Sequence, residues 1–130
     1  MKIKLAKKEI IHFIGIGGIG MSGLSLIMNG QGFKVQGSDI SDNKNIERLK
    51  KEKIKIFLNQ SKKNLEDATI VVVSSAIKKN NPELVEAKRR KIPIIRRGEM
   101  LASIVSLMKN IVVVGSHGKT TTTSLIASIF

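Results

Sequence analysis

His12-Phe13-Ile14-Gly15-Ile16-Gly17-Gly18-Ile19-Gly20-Met21-Ser22 is the stretch on which the fold turns. Glu9 to Ile14 is an apolar run of strand length, and Gly15 to Gly20 fits G-x-G-x-x-G. Behind it, Leu24, Ile27 and Met28 recur at helical spacing up to Gly30 and Gly32. A strand, a glycine turn and a helix in that order form the first half of a βαβ unit. Asp39 follows 19 positions after Gly20, at the end of a second short strand predicted over Phe33 to Gly37. That is where a dinucleotide-type fold keeps an acidic residue. Glycines let the backbone turn tightly and approach a ligand closely. The helix start offers unpaired N–H groups and a positive dipole end to a diphosphate. Asp39 is placed to accept a hydrogen bond from a ribose or a base. The plainer alternative is a tight turn that needs glycine, with Asp39 as a helix-entry cap.

The alternation continues downstream. Ser41, Asp42 and Asn43 precede a short basic helix carrying Ile46 and Leu49, and Ile54 to Leu58 is a third strand. Thr69 to Val73 is a fourth, strongly β-branched. Asn81-Pro82 opens a helix, with Asn as cap and Pro in the first turn. Glu83 and Glu86 near its start and Lys88 to Lys91 at its end match the helix dipole. Ile92 to Ile95 is a fifth strand, with Pro93 favouring its first residue or the sheet edge. Gly98 to Met108 is a helix with Met100, Leu101, Ile104, Val105 and Met108 on one face. Residues 1–107 therefore predict an α/β domain: a Rossmann-like, open, mostly parallel sheet with helices on both faces.

At residue 108 the pattern starts again. Asn110 to Val114 reads as a buried strand, followed by Gly115-Ser116-His117-Gly118-Lys119-Thr120-Thr121. The strict P-loop spacing would need glycine at position 113, which is Val113. What survives is G-x-x-G-K-T-T between a strand and a helix. Its backbone N–H groups can cradle phosphates, Lys119 can reach β- and γ-phosphate oxygens, and Thr120 can reach Mg²⁺. His117 is read as a loop-shaping residue, and His12, inside a strand pattern, as structural. Residues 108–130 are expected to begin a second, ATP-binding domain of P-loop type, cut short in this chain. One chain with both loops suits an enzyme that binds a nucleotide-like ligand and spends ATP on it. A dehydrogenase would have no use for the second loop.

Composition bounds the remaining choices. The 130 residues hold 23 Lys and Arg against 10 Asp and Glu, a net charge of +13, and 42% are apolar. That apolar share supports a packed core and excludes a wholly disordered chain. With no Cys, disulfide scaffolds, thiolate metal sites and cysteine nucleophiles are excluded. No apolar run approaches the roughly 20 residues that span a bilayer, and the basic N-terminus lacks the apolar stretch of a signal peptide. A cytoplasmic protein without membrane or nucleic-acid partners is expected. The basic residues come in short groups on amphipathic segments. The only aromatics are four Phe, so the stacking platforms of single-strand binders are missing. Two alternatives stay open: a nicotinamide-dependent oxidoreductase domain, on Gly15 to Gly20 with Asp39, and a basic nucleic-acid-binding module, on the charge.

Taken together, several stretches resemble the Mur ligase family of peptidoglycan synthesis. They are His12 to Ser22, Gly37-Ser38-Asp39, Val71 to Ile77, Asn81-Pro82-Glu83, Ile92 to Arg97 with Glu99-Met100-Leu101, and Gly115 to Thr123. They run in family order along nearly the whole chain, and the variant P-loop is the one this family uses. Ser116 stands where members commonly have Thr, a change that keeps the hydroxyl. The first glycine loop favours the members that add L-alanine over those that add a tripeptide in cell-wall recycling. The resemblance implies an ATP-dependent ligase that joins L-alanine to the carboxylate of UDP-N-acetylmuramate through an acyl phosphate. It implies that Gly15, Gly17, Gly18, Gly20, Met21 and Ser22 carry the UDP diphosphate, with Asp39, Ser74 and Ser75 bordering that pocket. Gly115 to Thr121 would surround ATP, with Lys119 and Thr120 acting in phosphoryl transfer and Thr120 on Mg²⁺. The L-alanine site would lie beyond residue 130, leaving this chain to bind substrate without turnover.

Overall fold

The computed structural model describes residues 5–115, with side chains described through Met108. Five parallel strands form one sheet: β1 (Ile10–Ile14), β2 (Lys34–Ser38), β3 (Lys55–Phe57), β4 (Ile70–Val73) and β5 (Ile94–Arg96), in the order β3-β2-β1-β4-β5. The connections carry α1 (Ile19–Gly30), α2 (Lys44–Lys51), a 3₁₀ turn (Lys62–Leu65) and α3 (Pro82–Arg89), and α4 (Arg97–Gly115) follows β5. The sheet is the expected one, and every predicted strand through β5 is present within a residue or two.

Period-2 alternation divides the strands between two cores. Ile11 and Phe13 of β1, Ile70 and Val72 of β4, and Ile95 of β5 face α1, α2 and α4. They meet Met21, Leu24 and Met28, then Ile46 and Leu49, then Met100 and Ile104. Ile14 and Val71 face the other way, onto Leu84 and Ala87 of α3 and onto Leu65 and Ala68. Right-handed crossovers account for the division. From β1 through β2 to β3 the chain steps outward in one direction, which puts α1 and α2 on one face. From β4 to β5 it steps outward the opposite way, which puts α3 on the other.

Local chemistry starts and stops these elements. Asn43 caps α2 by accepting from the Ile46 amide, at 3.0 Å. Asn81 caps α3 by accepting from the Glu83 and Leu84 amides, at 2.9 and 3.3 Å, with Pro82 as the first helical residue. Pro93 precedes β5 at the sheet edge, where its missing N–H costs nothing, and its carbonyl accepts from Val71 at 2.9 Å.

One reading is corrected. Asn110 to Val114, expected as a strand, continues α4, which runs unbroken to Gly115. A strand needs a partner for its backbone groups, and among the described residues β5 closes that edge of the sheet with no further strand beside it. A helix satisfies the same groups internally, and the small helix penalty of three valines does not outweigh that.

Candidate functional site

The glycine loop sits at the C-terminal edge of the sheet, between β1 and α1. Gly15 turns the chain with φ +78°, a conformation that favours glycine. The carbonyl of Ser38, at the end of β2, accepts from the amides of Gly15 (2.8 Å) and Ile16 (2.9 Å). Asp39 Oδ2 accepts from the Gly17 amide at 2.8 Å, and Asn45 Nδ2 donates to the Gly17 carbonyl at 2.9 Å. A Cβ on Gly17 would stand 2.8 Å from Asp39 Oδ2 and 3.0 Å from the Ile46 side chain, so glycine is required there for room. Gly18 is the N-cap of α1. No side chain caps this helix, and no acidic residue lies in its first turn. The amides of Ile19, Gly20 and Met21 have no intrahelical partner, and of these residues Ile19 and Gly20 are exposed. This arrangement can receive an anion.

The rest of the expected site divides into residues that join the loop and residues that do not. Strand order reverses between β1 and β4, the crevice in which open α/β sheets take their ligands. Gly15 leaves β1 on one side of that crevice. The turn Ser74-Ser75-Ala76-Ile77 leaves β4 on the other, with Ser75 exposed, and Ile77 Cδ1 lies 3.2 Å from where a Gly15 Cβ would be. Asp39 borders the loop as expected, but its carboxylate holds the protein's own backbone: Oδ2 takes Gly17 and Oδ1 takes the Ser41 amide at 3.0 Å. Met21 and Ser22 turn inward. Met21 joins the core, and the buried Ser22 Oγ donates to the Ile19 carbonyl at 3.1 Å. Gly115 is the last residue of α4. Ser116, His117, Gly118, Lys119, Thr120 and Thr121 lie outside the described residues.

Sequence reasoning missed two features. Arg97, first residue of α4, lays its side chain over the start of α1. A Cβ on Gly20 would meet its Cδ and Nε at 3.0 Å. Among the described residues Arg97 forms no ion pair, so it adds an unmatched cation to the helix end. Its tandem with Arg96 hid it among the many basic residues. The second is a buried polar network behind β2. Glu83 Oε1 accepts from His12 Nε2 and from Ser38 Oγ, both at 2.6 Å; Oε2 accepts from Asn64 Nδ2 (2.7 Å) and the Ser61 amide (3.2 Å). Burial by itself would raise the Glu83 carboxyl. The hydrogen bonds donated by His12, Ser38 and Asn64 outweigh it and hold the group below its ordinary value of 4.5. Glu83 thus does more than match the helix dipole from the first turn of α3: it is the acceptor at the centre of a buried network. His12 is structural, as expected.

The remaining cations are mostly occupied or dispersed. Arg89 pairs with Glu86 at 2.8 Å, and Arg90 donates to the carbonyls of Leu65 and Glu66. With Lys62 and Lys63 they line an open groove that includes the two carboxylates Glu66 and Glu86. Among the described residues no group of three or more acidic or His side chains could hold a metal ion, and no helix is long and apolar enough to cross a membrane.

Comparison with known proteins adds the family. The model of the Mur ligase family, catalytic domain, matches residues 10–109. A UDP-N-acetylmuramate–L-alanine ligase of Pelagibacter ubique is 75% identical over 130 residues, all of this chain and 28% of the relative. One of Rickettsia prowazekii is 60% identical over 120 residues, 92% of this chain and 24% of the relative. The chain thus spans about a quarter of the length of these curated relatives. Among solved structures, the UDP-N-acetylmuramate-alanine ligase of Thermotoga maritima superposes with a TM-score of 0.68 at 37% identity, covering 78% of this chain and 23% of that one. A UDP-N-acetylmuramate:L-alanyl-gamma-D-glutamyl-meso-diaminopimelate ligase of Neisseria meningitides gives 0.63 at 26% identity, covering 87% and 36%.

Proposed function

The chain belongs to the Mur ligase family, and on that premise we propose that it forms the UDP-sugar-binding part of an ATP-dependent ligase joining L-alanine to UDP-N-acetylmuramate. The single observation that carries this reading is the glycine loop at the strand-order reversal, docked on Ser38 and Asp39 with its helix amides open. In the proposal the diphosphate lies on Gly15 to Ser22, against the amides of Ile19 and Gly20 and beside Arg97. Ser74 and Ser75 border the same crevice from β4, and Asp39 keeps the loop in shape.

The chemical half rests on sequence alone. Gly115 to Thr121 would surround the ATP phosphates. Lys119 would stabilise charge on the transferred group, and Thr120 would hold Mg²⁺, which supplies further charge neutralisation. Transfer of the γ-phosphoryl group to the carboxylate gives an acyl phosphate. The amine of L-alanine attacks its carbonyl carbon, the amide bond forms and inorganic phosphate leaves. The setting proposed is the cytoplasm, where the nucleotide substrates are.

Thermal unfolding of this chain with added ligand tests the reading. A ligand at about 100 times its Kd adds roughly 2.7 kcal/mol of stability. UDP-N-acetylmuramate should raise the midpoint and NADH should leave it unmoved. A rise with NADH and none with the UDP-sugar would overturn the proposal in favour of a nicotinamide-binding domain.

A further inference from the structure

Four groups surround the Glu83 carboxylate, and all four are donors. The Ser61 amide and Asn64 Nδ2 can only donate. The Ser38 hydroxyl donates to Oε1. The state of His12 follows from its neighbours. The Asn64 carbonyl accepts from Gln36 at 2.9 Å, so the Gln36 atom there is its NH₂. That NH₂ also lies 2.8 Å from His12 Nδ1, which must therefore accept, leaving the ring proton on Nε2 to donate to Glu83. Glu83, His12 and Ser38 are fully buried. Glu83 lies in the first turn of α3, where the helix dipole favours negative charge. Only an acceptor-only group satisfies this site.

The network then leads to the glycine loop. Ser38 Oγ ends on Glu83, while the Ser38 carbonyl receives the amides of Gly15 and Ile16. We propose that Glu83 is a positioning residue for ligand binding: it fixes Ser38, and Ser38 fixes the turn into the glycine loop. The proposal rests on the reading that this loop holds the UDP diphosphate. It assigns Glu83 and His12 a part in affinity although neither reaches the exposed surface of the loop.

The test uses the 130-residue chain and two readouts. One is amide hydrogen exchange at Gly15 and Ile16 relative to Phe13 of β1. The other is the Kd for UDP-N-acetylmuramate. Glu83→Gln turns an NH₂ toward donors and should speed exchange at the two loop amides, and weaken binding, by about tenfold or more. Ser38→Ala should do the same, and Ser38→Thr, which keeps the hydroxyl, should restore binding to within about threefold. Because Glu83 acts through Ser38, the double variant should be little worse than either single one. A Glu83→Gln protein that unfolds earlier, yet keeps wild-type affinity and loop exchange, overturns the proposal, as do independent, multiplying effects of the two substitutions. If Glu83→Gln does not fold, unchanged loop exchange in Ser38→Ala overturns it equally. Loop exchange that responds as expected, in a wild-type chain that ignores UDP-N-acetylmuramate, upholds the positioning role and refutes the ligand reading instead.

Discussion

Gly37→Ala should be among the most damaging single-methyl additions this domain can receive. Gly37 lies in β2, paired with Phe13 of β1 and Ile56 of β3. An ideal Cβ there would stand 2.5 Å from Ile16 Cδ1, 2.6 Å from Ile16 Cβ and 2.8 Å from the Phe13 carbonyl oxygen. Only the first of these is the far end of a flexible side chain. The second is anchored to the loop backbone through a fully buried residue, and the third belongs to the central strand. Overpacking a tight core costs about 1–3 kcal/mol, and three such approaches put Gly37→Ala at about 2–3 kcal/mol. For a domain of about 100 residues that lowers the melting midpoint by roughly 10–20 °C. Urea unfolding followed by far-UV circular dichroism would read it as a lower midpoint at unchanged slope. The cheapest relief is to push Ile16 outward, which moves the glycine loop, so affinity for UDP-N-acetylmuramate should fall as well. A loss below about 0.5 kcal/mol would mean that Ile16 yields freely, and the picture of a loop clamped to the end of β2 would be wrong.

Two other outcomes follow from the packing around Gly23 and Glu83. At Gly23, inside α1, an added Cβ meets nothing within 4 Å, so Gly23→Ala should raise stability by about 0.5–1 kcal/mol in the same urea titration. Glu83 titrates below its ordinary value of 4.5 in the folded chain; its contribution is therefore full above that ordinary value and is lost as pH falls through the lower folded one. Urea midpoints measured from neutral pH down to about 2 should show wild type losing more than Glu83→Gln over that acid range, although the variant starts less stable.

Much of this was legible in the sequence because the cues are local. Glu9 to Ile14 before a glycine turn, Asn81-Pro82 at a helix start and Pro93 before an edge strand each carry their own physical reason, and all three stand in the structure. What escaped was set by neighbours distant in the chain. Ile111 to Val114 has strand composition, yet no strand among the described residues is available to pair with it, so the backbone stays helical. Glu83 reads as an acidic residue that matches the dipole at a helix start. Its real partners are His12, Ser38, Ser61 and Asn64, between 19 and 71 positions away, and no periodicity announces them. Asp39 stands beside the loop, and the partners that sequence does not name are the chain's own amides, those of Gly17 and Ser41. A carboxylate beside a glycine loop looks the same in sequence whether it faces outward or back onto the chain.

That last distinction bears on how binding would be achieved. A glycine loop free in solution would have to be ordered by its ligand, at a cost of about 1–2 kcal/mol for each residue fixed. Here four successive amides are already committed: Gly15 and Ile16 to the Ser38 carbonyl, Gly17 to Asp39 and Gly18 to the Gly15 carbonyl. Ser38 is itself held from behind by Glu83, and the Asp39 amide donates to the Phe57 carbonyl of β3 at 3.0 Å. The loop is therefore shaped before any ligand arrives, and the amides of the exposed Ile19 and Gly20 are left over for an anion. Such preorganisation raises affinity by removing an ordering cost rather than by adding contacts. It also ties recognition to the integrity of β2: a substitution that loosens Ser38 or Gly37 should weaken binding even where it leaves every group that would touch the ligand in place.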